Sequence, residues 1–232
     1  MFLTDRVSAA ESRGLRLEVS SDFELLYSLE LDGHSLSPMF HPRHFDLRDE
    51  TGFWIAGRDA SGRVVHVQAI RVQSPGLGGL DNLWESEFRR LFPLAPRAGT
   101  VAAEGAQMFG QVTYHGELWL HESVRGAGFG PLLASVGLAC AAIRFDPDHC
   151  YGFVEDPNAW SGYAFREGFF TVKPLSEGWR RAEGFLLETD WIVTMSRDDL
   201  RRLVERDRRQ VQSYTRRQFV PRNEWEAPDG SN

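Results

Sequence analysis

The chain has 232 residues, 42% hydrophobic and 12% aromatic with seven tryptophans, ample for a packed core and unlike a disordered chain. Its formal net charge of −7 argues against nonspecific nucleic-acid binding, which relies on a cationic surface. No apolar run long enough to span a bilayer occurs, and the opening MFLTDRVSAAESRG lacks the apolar stretch of a secretory leader, so a cytoplasmic protein without a membrane span is expected.

In chain order, Leu15-Arg16-Leu17-Glu18-Val19 alternates and predicts a first strand. Ser20-Ser21-Asp22 supplies N-cap residues for a helix to about Leu31, stopped by Asp32-Gly33. The polar stretch 34–50, with two prolines, reads as loop. Strands around 53–57 and 64–70 flank Asp59-Ala60-Ser61-Gly62, a hairpin with a glycine-containing turn. An insertion follows at 76–96, with Asp81 as a cap and Leu83, Trp84, Phe88, Leu91 and Phe92 at helical spacing. That stripe reads first as core, and secondly as a wall for a second substrate. Two further strands, 107–114 and 117–122, are expected to join through His115-Gly116. A small-residue helix then runs over about 128–143, with Pro131 tolerated in its first turn. A short strand near 150–155, a helix from Asn158 to the stop at Gly168, and a strand at 188–195 complete the core. Ser196 caps a final helix, with Asp198 and Asp199 at its positive end.

Residues 197–222 carry nine arginines against four acidic residues. A basic helix of this kind pairs with its own acidic domain, or binds RNA or an acidic partner. The expected organisation is one domain over 1–195, then a basic helix and tail over 196–232. A single lysine, Lys173, among 26 basic residues reads as the coding bias of a high-GC bacterial genome. Cys140 and Cys150 lie in or beside apolar segments and read as buried thiols. His41, His44, Asp46 and Asp49 in a proline-containing loop make a poor zinc pattern, so no metal is expected.

The most informative segment is Glu117–Gly130, ELWLHESVRGAGFG. An apolar strand ends in Arg125-Gly126-Ala127-Gly128-Phe129-Gly130, and a helix follows at once. Glycines let backbone N–H groups approach a ligand closely, and the helix start favours an anion, above all a phosphate. A dinucleotide fingerprint would need a third glycine where Pro131 stands, and no lysine-bearing phosphate loop exists.

Arg-x-x-Gly-x-Gly after a strand resembles the coenzyme A pyrophosphate turn of the GNAT superfamily of acyl-CoA-dependent N-acyltransferases. About 40 residues on, Asn158-Ala159-Trp160-Ser161-Gly162-Tyr163-Ala164-Phe165-Arg166-Glu167-Gly168-Phe169 resembles the family's second signature. The resemblance covers roughly 50–195. One departure stands out, because the family tyrosine sits four residues before the glycine, where this chain has Ala164, and Tyr163 comes one residue early.

The resemblance implies an α/β fold: a mixed, mostly antiparallel sheet flanked by helices, with two parallel strands splayed apart at the glycine turn. It implies acetyl transfer from acetyl-CoA to a primary amine, a small molecule or a peptide, by direct attack, and it is compatible with a homodimer. Main-chain groups of Leu118, Trp119 and Leu120 would meet the pantetheine arm. Val124, Arg125, Gly126, Ala127, Gly128, Phe129 and Gly130 would hold the pyrophosphate, with Asn158 also on the coenzyme. Tyr163 is the candidate acid for the leaving thiolate, and Glu155 and Glu122 are candidate bases. Glu117 begins the first splayed strand, and His121 has a suitable ordinary pKa. Two other readings stay open. One is a noncatalytic GNAT-like module that binds acyl-CoA or acts through its basic helix. The other is an acyl-homoserine-lactone synthase-like enzyme, suggested by His44-Phe45-Asp46-Leu47-Arg48-Asp49.

Overall fold

Among the described residues, seven strands form one sheet: β1 (Arg16–Ser20), β2 (Gly52–Arg58), β3 (Val64–Gln73), β4 (Val112–Leu120), β5 (His149–Val154), β6 (Thr171–Pro174) and β7 (Trp191–Ser196). Their order is β1-β2-β3-β4-β5-β7-β6, and every neighbouring pair is antiparallel except β4–β5. The computed structural model describes residues 2–91, 105–174 and 191–205.

Alternation splits the sheet's side chains between two apolar layers. In β2, Phe53 and Ile55 pack under α4 (Phe129–Phe145), while Trp54 and Ala56 face the opposite core. The first layer is completed by α1 (Phe2–Glu11), which lies against α4. The second holds α2 (Phe23–Tyr27) and α3 (Gly79–Leu91), whose Leu80 and Trp84 are fully buried against Tyr151 and Tyr114. This is the mixed α/β arrangement expected, with helices on both faces. No helix among the described residues is long and apolar enough to cross a membrane.

Several local expectations change. Phe2–Glu11 form α1, a helix the sequence reading does not include. Its Phe2 and Ala10 are buried, and Leu3 and Val7 join the core at helical spacing. Asp22 caps α2 by accepting from the Leu25 N–H at 3.1 Å, but the helix stops at Tyr27 rather than Leu31. There Ser28 turns its hydroxyl onto the Leu25 carbonyl at 2.7 Å, and Leu29 and Leu31 fold into the core.

The expected 107–114 and 117–122 strands become one shorter element, β4 over Val112–Leu120, preceded by a 3-10 turn at Gly105–Gln107 and followed by another at Glu122–Val124. β4 runs straight through His115-Gly116 because the ten-residue β3 offers it a partner along its length. The extra residue is absorbed as a bulge: Val67 pairs Trp119 and Ala69 pairs Gly116, so Glu117 and Leu118 oppose Gln68 alone. Glu117 takes a left-handed φ of 53° there, a conformation non-glycine residues seldom hold.

In α3, Asp81 lies inside the first turn rather than capping it. Trp84 is buried, and Leu83, Phe88 and Leu91 pack on the core. The stripe is therefore core, while Phe92 and the rest of the insertion to 96 fall outside the described residues. A buried network fastens α3 to the sheet. Arg71 donates to both Glu87 carboxylate oxygens at 3.2 and 2.6 Å, Gln73 donates to Glu87 at 3.0 Å, and Tyr151 and Trp84 extend the chain at 2.7 Å each.

The expected helix from Asn158 to Gly168 is two: α5 (Asp156–Trp160) and α6 (Tyr163–Glu167). Glu155 occupies the N-cap and Asn158 sits inside α5. Gly162, at φ 69°, breaks the run, and Gly168 ends α6 at φ 116° as expected, its N–H on the Ala164 carbonyl. Ser196 and Asp199 cap a last helix reciprocally, Ser196 N–H to Asp199 at 2.9 Å and Asp199 N–H to Ser196 at 3.2 Å. That helix, α7, is described over 197–205. The rest of the basic segment and the start of the 188–195 strand lie outside the described residues.

Candidate active site

β4 and β5 pair only at Val112–His149, Thr113–Cys150 and Tyr114–Tyr151. Beyond those pairs the strands part, and β4 from His115 to Leu120 keeps β3 as its strand partner. The divergence starts where Gly152 faces the His115 carbonyl, which a Cβ at Gly152 would meet at 2.8 Å. A cleft of about 1350 Å3 opens between the strands, lined on one side by Gly116–Leu120 and on the other by Gly152–Glu155. Separated parallel strands leave main-chain N–H and C=O groups facing a common space, which an extended ligand can pair with.

At one end of the cleft lies the glycine turn. His121 caps a single 3-10 turn, Glu122–Val124, and the chain then passes through Gly126 (φ 75°) and Gly128 (φ 74°) into α4. Both left-handed positions favour glycine. The space around Gly126 is open, and Gly128 has only the Arg13 guanidinium near, at 3.8 Å. The N–H groups of the first α4 turn have no partner within the helix and point outward with the positive dipole end. Two arginines flank the turn. Arg125 donates through Nε to the Leu120 carbonyl at 2.8 Å. Arg13, just after α1, bonds the Ala127 carbonyl and covers the Phe129 ring at 4.2 Å. Arg13 is more than a hundred residues from the turn and carried no signal in the sequence.

Leu118, Trp119, Leu120, Arg125, Gly126, Gly128, Phe129, Gly130, Glu155, Asn158 and Tyr163 all line this cleft. Val124, Ala127 and Glu122 do not. Glu122 is exposed on the 3-10 turn, and Glu155 is exposed at the start of α5. His121, caught between Ser123 at 2.7 Å and Asp32 at 3.4 Å, stands off the cleft.

Tyr163 opens α6 immediately after the Gly162 break, and its hydroxyl rests against Gly130, where a Cβ would lie 1.8 Å away. The small first turn of α4 thus seats the phenol. One helical turn on, Glu167 interacts with the Tyr163 phenol and is only 2% exposed. Its Oε1 is buried without a hydrogen-bond partner. Burial lifts the Glu167 carboxyl to about 8, against the pull of Tyr163 and Arg166. Burial and the adjacent Glu167 hold the Tyr163 phenol well above its ordinary value.

Across the cleft, the bulge turns Glu117 toward the loop after α2. His34 Nε2 lies 3.0 Å from Glu117 Oε2, and the Ser37 N–H donates to Oε1 at 2.8 Å. The Glu117 side chain is 2% exposed and that of His34 25%. The His34 ring stacks on Trp119 at 5.6 Å. Neither residue was singled out as a pair from the sequence, since 83 positions separate them.

Two more histidines are structural. His66 donates from Nδ1 to the Trp119 carbonyl at 2.8 Å, and His115 meets Gln68 at 2.8 Å. Burial pushes them down to about 4 and about 3, so both are neutral at pH 7. Cys150 is buried and Cys140 half-buried, and both are free. No three metal-ligating side chains converge among the described residues.

No protein-family model matches the chain, and no curated protein does. Among solved structures it is similar to the spermidine N-acetyltransferase SpeG of Vibrio cholerae. A variant of that protein is 12% identical over 81% of this chain and 96% of the other, with a TM-score of 0.45. Its complex with manganese ions is 11% identical over 80% and 94%, at 0.43. A chimera of the Vibrio cholerae protein with hSSAT is 13% identical over 81% and 98%, also at 0.43. Likeness at this level says nothing of what this chain acts on.

Proposed function

We propose that the protein is a GNAT-type N-acyltransferase that moves an acetyl group from acetyl-CoA to a primary amine by direct attack. The observation that carries this reading is the parting of β4 and β5 beside a glycine turn that runs into the α4 N-terminus. An extended arm ending in phosphates needs that combination, a main-chain slot and an anion site in one cleft. The turn fits such a group, because the space a side chain would fill at Gly126 and Gly128 is open and Arg13 and Arg125 stand beside it.

In this reading, the first-turn amides with Arg125 hold the pyrophosphate and Leu118–Leu120 hold the pantetheine arm. Acetyl-CoA supplies the activated acyl group. An ammonium must lose a proton before it can attack. The residues best placed to take it are His34 and Glu117, paired on the cleft wall, with the carboxylate holding the ring's orientation. Glu155 at the rim is the remaining candidate from the sequence, while Glu122 stands outside the cleft. Tyr163 offers its hydroxyl to the leaving sulfur. The Gly162 break sets this phenol on the cleft although it comes one residue early for the family pattern.

Calorimetric titration with acetyl-CoA, with desulfo-CoA and ATP as comparisons, tests the reading. Acetyl-CoA should bind saturably, and Gly128→Glu should abolish binding, because the left-handed backbone resists a side chain and the carboxylate repels phosphate. A folded wild-type sample that ignores millimolar acetyl-CoA would refute it. Binding would justify a screen of small-molecule and peptide amines, beginning with spermidine.

A further inference from the structure

Glu167 lies on the cleft wall one helical turn after Tyr163, its carboxyl 2% exposed, interacting with the phenol and with Oε1 unpartnered. A buried carboxylate with an idle oxygen is costly, whereas a neutral carboxylic acid is not. Among the described residues, charged and titratable groups around it are few. Arg166 is on its own helix, with its guanidinium 5.7 Å from the Tyr163 ring centroid. On α5, Asp156 accepts from the Trp160 and Trp191 indoles at 3.1 and 2.7 Å, and Glu155 is exposed. On β6 there is Lys173. The nearby core contributes Cys150, uncharged because burial pushes its thiol up to about 12. α4 presents Gly130 and Leu138 to α6, and α7 presents Leu203. No cation among these bonds the Glu167 carboxyl.

Building on the acyltransfer reading, we propose that Glu167 is the proton store behind Tyr163, resupplying the phenol once it has protonated the departing thiolate. The need arises from proton affinities. A thiol titrates near about 8.5, while Tyr163 is held well above 10, so proton loss from the phenol alone is uphill. Glu167, near 8, is matched to the thiol, and the phenol conducts between them. The steps balance. The amine nitrogen bonds the acyl carbon and loses one proton to the base. The carbon–sulfur bond breaks with its electron pair on sulfur, and sulfur takes the Tyr163 proton. The phenolate oxygen takes the Glu167 proton. Glu167 is left as a carboxylate and regains a proton from solvent between turnovers. Glu167 acts through Tyr163 and so positions and replenishes the donor.

The test begins without substrate. In protein labelled with 13C at glutamate side-chain carboxyls, one carboxyl should titrate near 8 and vanish in Glu167→Gln. In Tyr163→Phe it should titrate higher, because the phenol hydroxyl that favours the carboxylate is gone. Thiol release from acetyl-CoA, with spermidine or another amine from the screen, gives the second readout. Glu167→Gln should lower kcat at pH 7 at least about tenfold and erase the alkaline limb of the kcat profile, with acetyl-CoA affinity unchanged. Combining it with Tyr163→Phe should cost no more than Tyr163→Phe alone, as for two members of one relay. A Glu167 titrating in the ordinary carboxylate range, or a Glu167→Gln variant that keeps the alkaline limb, overturns the proposal alone. Failure of the wild-type protein to bind acetyl-CoA overturns both it and the acyltransfer reading.

Discussion

Alanine at Gly130 would place its Cβ 1.8 Å from the Tyr163 hydroxyl oxygen, 2.8 Å from Cζ and 3.1 Å from Cε2. Ordinary contact distances require the hydroxyl to retreat by roughly 1.5 Å or more, and a phenol has no flexible end to fold away. Glycine at this helical position needs no left-handed backbone, so alanine itself would favour the helix by up to about 1 kcal/mol. Against that stands overpacking strain of about 1–3 kcal/mol. Against the full helix gain, the net is a loss of up to about 2 kcal/mol, or a Tm lowered by up to roughly 4–8 °C in a chain of this size. The first-turn amides stay in place, so acetyl-CoA affinity measured by calorimetry should hold. Thiol release should fall about a hundredfold, the loss expected when a positioned acid is displaced. Gly130→Ala added to Tyr163→Phe should slow the reaction little further. A Gly130→Ala protein with wild-type kcat would refute the placement of the acid. Equal and additive losses from the two changes would refute the claim that they act through the same hydroxyl.

Glu87→Ala should destabilise the fold by about 3–5 kcal/mol in chemical denaturation, because Arg71 and Gln73 would keep buried donors with no acceptor. Glu87→Gln, which preserves an acceptor, should cost less. Glu167 should also write itself into stability against pH. Its folded value of about 8 stands above the ordinary 4.5, so the native state binds the extra proton between those limits. Its contribution is full at low pH and is lost as pH rises from about 4.5 to 8, a cost on the order of 4–5 kcal/mol. Denaturation midpoints at pH 6 and pH 9 should therefore differ more in the wild type than in Glu167→Gln; equal differences would contradict the burial cost.

Much of the local structure is legible in the sequence because its signals are local. Alternation marks β2 and β3, Asp22 and Ser196 cap helices, Gly168 closes α6, and the Arg125–Gly130 run announces a turn into α4. Each depends on a few adjacent residues and their own backbone preferences. The same sequence misleads at His115-Gly116, where a turn is plausible locally but β3 offers a continuous partner and the excess residue becomes the Glu117 bulge. It also hides α1, whose five apolar residues matter only once α4 gives them a surface.

The site itself is decided by tertiary structure. Gly162 cuts one expected helix into two and sets Tyr163 against Gly130, some thirty positions earlier, which no spacing rule contains. His34 meets Glu117, and Arg13 reaches the glycine turn, only because sheet order and the α1–α4 contact bring distant segments together. Glu167 is an unremarkable glutamate in sequence, and its character comes from being 2% exposed beside one phenol. Sequence determines which backbone conformations are cheap. Which side chains share a wall, and how much water they keep, is determined by long-range pairing and burial, and proton affinity follows from those.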